Sequence, residues 1–293
     1  MPKIIMIGPG RLGTALAIAL QHAGHQILGA LAQSTHSESS ERFVRLTNTS
    51  VYPMQNLLSH LELIEAADAV LITVPDKAVS FIAQTLGNTK THWTGQMVLH
   101  TAGALSSAVL QPLREQGAAT ASMHPLQTFA DPLLGSTRLS GTTFSLEGDA
   151  AAVEFASDLV KDLKGLPVVI SAEDRPRYHA AAVLASNAIV ALVSVASDLL
   201  MIPDALPALL PLMRGAMENL ESLGLPKALT GPVDRNDQST LLSHLQALQD
   251  NPTALQVYCA LGEATVQVAR RKGSLTRADE EALLHLFRRT TDT

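Results

Sequence analysis

Lys3-Ile4-Ile5-Met6-Ile7-Gly8-Pro9-Gly10-Arg11-Leu12-Gly13 decides how this chain is to be read. Residues 3–8 form a short, β-branched apolar run that ends in glycine and reads as a strand. Residues 11–23 follow as a helix, with Gly24 placed to close it. Between them lies G-x-G-x-x-G, and each glycine has a separate physical task. Gly8 permits the tight turn, Gly10 lets the backbone approach a pyrophosphate, and Gly13 allows the helix to pack closely on the strand. The helix N-terminus, at Arg11 and Leu12, offers N–H groups to the phosphates. Glycine-rich turns are common, and alone this one would be a bare structural turn. The strand before it, the helix after it and a second strand over residues 26–32 make it a nucleotide cradle.

The same alternation continues outward. Apolar strands read at residues 69–74, 96–100, 120–123, 142–146 and 168–171, with a helix at 150–163. That is the pattern of an α/β Rossmann fold, a doubly wound and mainly parallel sheet. After Ser171 the strand signals stop, and residues 175–201, 205–223, 238–249, 253–272 and 277–289 read as helices. Thr276 suits the N-cap of the last, with Asp279 and Glu280 in its first turn and Arg288 and Arg289 in its last. The organisation expected is a nucleotide-binding domain over 1–171 and an all-α domain over 172–293, the latter for substrate and dimerisation.

Composition agrees with two folded domains: 293 residues, 46% apolar and 16% charged. The net charge is −6, the basic residues are dispersed and aromatics make up only 3%. A nucleic-acid partner is therefore not expected, since neither a basic footprint nor a stacking platform is present. Cys259 is the single cysteine, so no paired-cysteine metal spacing exists and no metal is expected. The apolar start is too short for a signal peptide, which points to the cytoplasm. The uncharged run 180–197 reaches the length of a membrane span. It holds Ser186, Asn187, Ser194 and Ser197, however, and is flanked by Arg177 and Asp198. It reads instead as a helix buried at the centre of a helical domain or in a homodimer interface, with no membrane partner.

Which nucleotide binds depends on the end of the second strand. An NAD site usually has a carboxylate there, roughly 20 residues past the glycines, to meet the ribose hydroxyls. Here the sequence is Gln33-Ser34-Thr35-His36. Ser34 and Thr35, with His36 or Arg42, would welcome a 2′-phosphate, so NADP is expected rather than NAD. The alternative is that Glu38 does the carboxylate's work a step late.

Ligands of such sheets sit beyond the carboxyl ends of the strands. Val74-Pro75-Asp76, His100-Thr101 and His124-Pro125 stand there. Val74, Pro75 and Thr101 are expected to line the cofactor, and Asp76 to cap a helix. His100 either reaches the carboxamide or merely ends its strand. His124, held extended by the following proline, is placed to deliver a proton alongside a hydride, or is a satisfied loop histidine. On one helix, Arg175, His179 and Ser186 share a face with Asn187 on its flank. That stripe faces either a substrate or core partners. In Gly231-Pro232-Val233-Asp234-Arg235-Asn236-Asp237, Asp237 could cap the next helix. Arg235 is a ready carboxylate clamp or part of a solvated turn.

These stretches recur together in a known family. With His124-Pro125-Leu126-Gln127-Thr128-Phe129 and Tyr178-His179-Ala180-Ala181-Ala182 through Ser186-Asn187, the chain resembles Rossmann-like proteins often labelled NADP oxidoreductases. Their helical C-terminal half is a domain of unknown function. The family is similar to pyrroline-5-carboxylate reductases, β-hydroxyacid dehydrogenases, prephenate dehydrogenases and ketopantoate reductases. The resemblance implies hydride transfer from NADPH to a small C=O or C=N, and commonly a dimer formed through the helices. It also implies that His124 contacts substrate and that Asn187 stands where β-hydroxyacid dehydrogenases keep an asparagine. Those dehydrogenases place a catalytic lysine one turn earlier, where this chain has Val183. His179 or His124 would have to replace it, or water would protonate the carbonyl. The expected activity is reduction of a small 2-keto acid, with Arg235 on the carboxylate and Asn187 on the carbonyl. The alternatives are a cyclic imine reductase and a dinucleotide-binding sensor without turnover.

Overall fold

The computed structural model describes residues 1–90 and 92–289, which divide into two compact units, Met1–Val183 and Leu184–Thr293. The first unit alternates strand and helix. β1 (Lys3–Ile7), α1 (Arg11–His22), β2 (Gln26–Ala32), α2 (Glu38–Thr47) and β3 (Val51–Pro53) come first. A 3-10 stretch, Met54–His60, leads to α3 (Leu61–Glu65), β4 (Ala69–Ile72), α4 (Asp76–Thr89) and β5 (Met97–His100). Then come α5 (Gln111–Arg114), β6 (Ala119–Pro125), α6 (Pro132–Thr137), β7 (Thr143–Gly148), α7 (Ala150–Asp162), β8 (Leu166–Val169) and α8 (Arg175–Leu184).

The strands make one eight-stranded sheet in the order β3-β2-β1-β4-β5-β6-β7-β8. All neighbours are parallel except β6 and β7. Successive side chains of a strand point to opposite faces, so a strand apolar throughout needs cover on both sides. In β1, Ile4 and Met6 pack with Leu16, Leu20, Phe43 and Leu159 on one face. Ile5 and Ile7 pack with Val79, Ile82, Leu86 and Leu113 on the other. Full burial of each such side chain contributes about 1.5–3 kcal/mol. The chain order reverses between β1 and β4, and there the loops diverge to leave a crevice.

The second unit is helical: α9 (Asn187–Leu199), α10 (Ala205–Leu223), α11 (Gln238–Ala247), α12 (Pro252–Lys272) and α13 (Arg277–Arg289). Leu241 and Leu245 meet Cys259, Val266, Leu283 and Phe287 in its core. Asp237 caps α11 by accepting from the Thr240 amide at 3.1 Å. Thr276 Oγ1 accepts from the Asp279 amide at 3.2 Å, and Arg288 pairs with Glu263 at 2.9 Å. The side chain of Arg289 lies outside the described residues.

Two expectations change. The helix read over residues 175–201 is broken at Ser186, whose φ −131°, ψ −78° is not helical. Ser186 therefore does not continue the Arg175–His179 face. The apolar stretch Arg175–Leu199 is long and apolar enough by composition to cross a bilayer, with mean hydropathy 2.0. Its break leaves helices of 10 and 13 residues, each short of the ~20 a span requires. Nor is it the buried centre of a helical domain, because α9 has no buried residue. The loss of strand signal at Ala172 also precedes the division of the compact units. The reason is α8, whose first turn is tied to the sheet by Arg175, Nη2 of which donates to the Ala102 carbonyl at 2.9 Å.

Candidate functional site

The glycine loop leaves β1 at the reversal point. Gly8 takes φ +97°, and a Cβ there would lie 2.8 Å from Val74 Cγ1 and 3.0 Å from the Thr73 carbonyl. A Cβ on Gly13 would strike the Gly8 carbonyl and Thr73 Oγ1. Both glycines therefore exist to bring β1, α1 and the end of β4 together. Thr73, which the sequence reading passed over, fastens the loop: its hydroxyl donates to the Gly8 carbonyl at 2.7 Å. Gly10 differs. A Cβ on it would meet nothing within 4 Å, and it starts α1 with no side-chain cap. The first amides of α1, at Arg11, Leu12 and Gly13, have no partner one turn back. This is a cradle shaped for an anion, and its residues fit a diphosphate.

At the end of β2, the Ser34 carbonyl accepts from Ser37 Oγ at 3.3 Å and Ser40 Oγ at 2.6 Å. The Ser34 hydroxyl accepts from the His36 amide at 3.3 Å. Thr35 is half-buried beside them. Glu38 is 94% exposed and pairs with Arg42 at 3.4 Å along α2, so it does not turn back as a ribose acceptor. Arg42 Nε is buried with no hydrogen-bond partner among the described residues. The loop thus presents hydroxyls and a cation. Pro75, not Asp76, precedes the first turn of α4, and Asp76 lies within that turn. Its carboxylate favours the helix dipole without capping it.

Beyond β5 and β6 stand three histidines. His100 is fully buried and serves the fold: its Nδ1 accepts from the Ala102 amide, and Nε2 lies 3.2 Å from the Ser106 carbonyl. Thr101 is likewise engaged, its amide donating to Ile72 at 3.1 Å. His124 faces Ser145 across the β6–β7 pair. Its Nδ1 is hydrogen-bonded to the Tyr178 hydroxyl at 3.1 Å, and its ring meets the His179 ring edge-on at 5.7 Å. A Cβ on Gly103 would run into His179 Nδ1 and come within 2.8 Å of His124 Nε2. Glycine at 103 is what lets both rings converge. Tyr178, adjacent to His179 and one helical turn beyond Arg175, shares their face of α8. The i, i+3, i+4 spacing was the signal for it.

Burial, and then the neighbouring His179, Arg175 and His100, push the His124 pKa down to about 4. His100 also falls to about 4, chiefly through burial. Burial raises the Tyr178 hydroxyl. His124 is therefore neutral at pH 7, and any proton it gives comes from an imidazole N–H. A neutral imidazole with Nδ1 accepting from Tyr178 directs an Nε2–H toward Gly103. That arrangement polarises a carbonyl by donating to it.

The remaining two residues singled out belong to the helical unit. Asn187 opens α9, is exposed, and its Oδ1 accepts from Ser186 Oγ at 3.1 Å. In the 231–237 turn, Asp234 takes Lys272 at 2.7 Å and Ser274, and Nδ2 of Asn236 donates to Asp279 at 2.6 Å. Arg235 is exposed and forms no ion pair among the described residues.

The order 3-2-1-4-5-6 within the sheet, with an uncapped helix at its reversal, defines the Rossmann class. Comparison specifies the chain further. It carries a Rossmann-like domain over residues 2–125 and a domain of unknown function, DUF2520, over residues 142–265. A comparison with curated proteins gave no significant match. Among solved structures the chain is similar to BF3122 from Bacteroides fragilis, provisionally an NADP oxidoreductase. That likeness has TM-score 0.71 and 23% identity over 90% of this chain and 97% of the other. Protein TM1727 from Thermotoga maritima matches with TM-score 0.70 and 22% identity over 92% and 99%. A reductive aminase from Aspergillus terreus in complex with NADPH and ethyl-5-oxohexanoate matches with TM-score 0.58 and 16% identity, over 100% and 94%. At these identities the likeness establishes the fold.

Proposed function

We propose that this chain is an NADPH-dependent oxidoreductase that reduces a small carbonyl substrate, first among candidates a 2-keto acid of the ketopantoate type. The observation that carries the reading is the open N-terminus of α1 at the sheet's reversal point, where Gly10 leaves room for a diphosphate. The amides of Gly10, Arg11 and Leu12 would hold it, with Ser34, Thr35 and Arg42 toward the 2′-phosphate and Val74, Pro75 and Thr101 along the strand ends. NADPH held there would supply the hydride for a carbonyl carbon. His124 Nε2 donates to the carbonyl oxygen and yields its proton as the alcohol forms. Nδ1 takes the Tyr178 proton in exchange, and solvent restores the hydroxyl. Two copies of the chain pair through the helical unit.

A second reading, reduction of a cyclic imine, is supported by the fold shared with an NADPH-bound reductive aminase. Calorimetry with NADPH tests the cofactor; a chain without affinity for it would end both readings. Turnover is then followed by loss of NADPH absorbance over keto acids and pyrroline carboxylate. Activity on the imine alone selects the second reading, and tight NADPH binding with no turnover on either panel selects a sensor.

A further inference from the structure

Arg175 is the most deeply buried charge in the first unit, and among the described residues it has no ion-pair partner. Its relative exposure is 0%. Only Nη2 is engaged, on the Ala102 carbonyl, while Nε and Nη1 have no hydrogen-bond partner among the described residues. His179 Nδ1 is also buried and unpartnered. The acidic groups that act on Arg175 from a distance are Glu147 on β7 and Asp76 on α4. Glu147 is already satisfied, accepting from the Ser107 amide at 2.7 Å and the Ser107 hydroxyl at 2.8 Å. A desolvated guanidinium with open donors is costly unless an anion completes it.

We propose that Arg175, with His179 and the His124–Tyr178 pair around Gly103, forms a receptor for an anionic group of the substrate, a carboxylate adjoining the reacting carbon. This deepens the reductase reading and rests on it. It moves the carboxylate clamp from Arg235 to Arg175. The chemistry of the cluster favours an anion over a neutral ligand: it offers a guanidinium, ring N–H groups and a hydroxyl, and among the described residues Arg175 Nε and Nη1 have no partner. A guanidinium also matches a carboxylate in two-point geometry. The low pKa of His124 is set by burial and by His179, Arg175 and His100. An anion seated among them would oppose that cationic field and move His124 upward.

The test uses oxamate, an unreactive 2-keto acid mimic, and oxamide, its uncharged analogue, titrated calorimetrically into the NADPH-loaded protein. Oxamate is expected to bind and oxamide to bind at least tenfold more weakly. Arg175→Met should weaken oxamate by about 10- to 100-fold, with NADPH affinity unchanged, and Arg235→Met should leave oxamate as in the wild type. Equal binding of the two probes, or loss of oxamate in Arg235→Met but not in Arg175→Met, overturns the proposal while leaving the cofactor reading intact. Should Arg175→Met not fold, NMR titration of the wild-type histidines decides. Oxamate must raise the His124 midpoint by about one unit, and an unmoved midpoint rejects the receptor.

Discussion

Gly8 and Gly10 sit two residues apart and separate folding from binding. Gly8 holds φ +97° against Val74 and Thr73, whereas Gly10 has φ −73° and open space where a side chain would grow. An L-residue forced into the left-handed region costs roughly 1–2 kcal/mol. Gly8→Ala is therefore expected to lower the thermal midpoint by several degrees. Gly10→Ala should leave that midpoint within about a degree, since nothing in the fold is displaced, yet weaken NADPH at least tenfold by occupying the approach to the amides of α1. Differential scanning fluorimetry and calorimetry on the same two samples read both effects. Unchanged NADPH affinity in Gly10→Ala would mean that the phosphates lie elsewhere.

At the level of elements, the joint between the glycine loop and β4 depends on Thr73. Its hydroxyl donates to the carbonyls of Gly8 at 2.7 Å and Ile7 at 3.2 Å. Thr73→Val keeps the shape and removes the donor. The part-buried Gly8 carbonyl then loses its partner, so the urea midpoint should drop by an amount equivalent to about 1 kcal/mol. A midpoint equal to wild type would show the joint to be held by packing alone. This joint also shows what the sequence could reveal. The glycine spacing and the apolar strands were legible because each obeys a local period, and so were the caps at Asp237 and Thr276. Thr73 was not, since its partners lie 65 and 66 positions away. The His124–Tyr178 pair spans 54 positions and leaves no periodic trace. The break at Ser186 was invisible for another reason. The surrounding 180–197 run contains neither glycine nor proline, the residues that usually announce such an interruption.

For the molecule as a whole, two neutral histidines set the response to acid. His100 and His124 titrate near 4 when folded, against roughly 6.5 in an unfolded chain. Their contribution is complete above pH 6.5 and is lost as pH falls toward 4, because the unfolded chain accepts protons that the fold refuses. For fully buried His100 the difference is about 3 kcal/mol. Asp149 and Asp234 are lowered carboxylates and add to the loss only below their ordinary range. A urea midpoint that declines between pH 6.5 and 4 is expected, and a flat one would contradict neutral histidines. The proposed pairing of two copies belongs to the same scale. No residue of α9 or α10 is buried, although Val190 is 72% and Leu212 71% exposed, with Leu192, Leu206, Leu210 and Met217 also uncovered. Apolar surface on that scale marks an interface, and covering each such side chain contributes about 1.5–3 kcal/mol. Light scattering should therefore give twice the chain mass at micromolar concentration. Val190→Glu combined with Leu212→Glu should halve it with little change in the circular dichroism, because exposed positions tolerate charge within about 0.5 kcal/mol. A wild type that runs as a monomer, or a doubly charged variant that stays paired, would place the contact on another face.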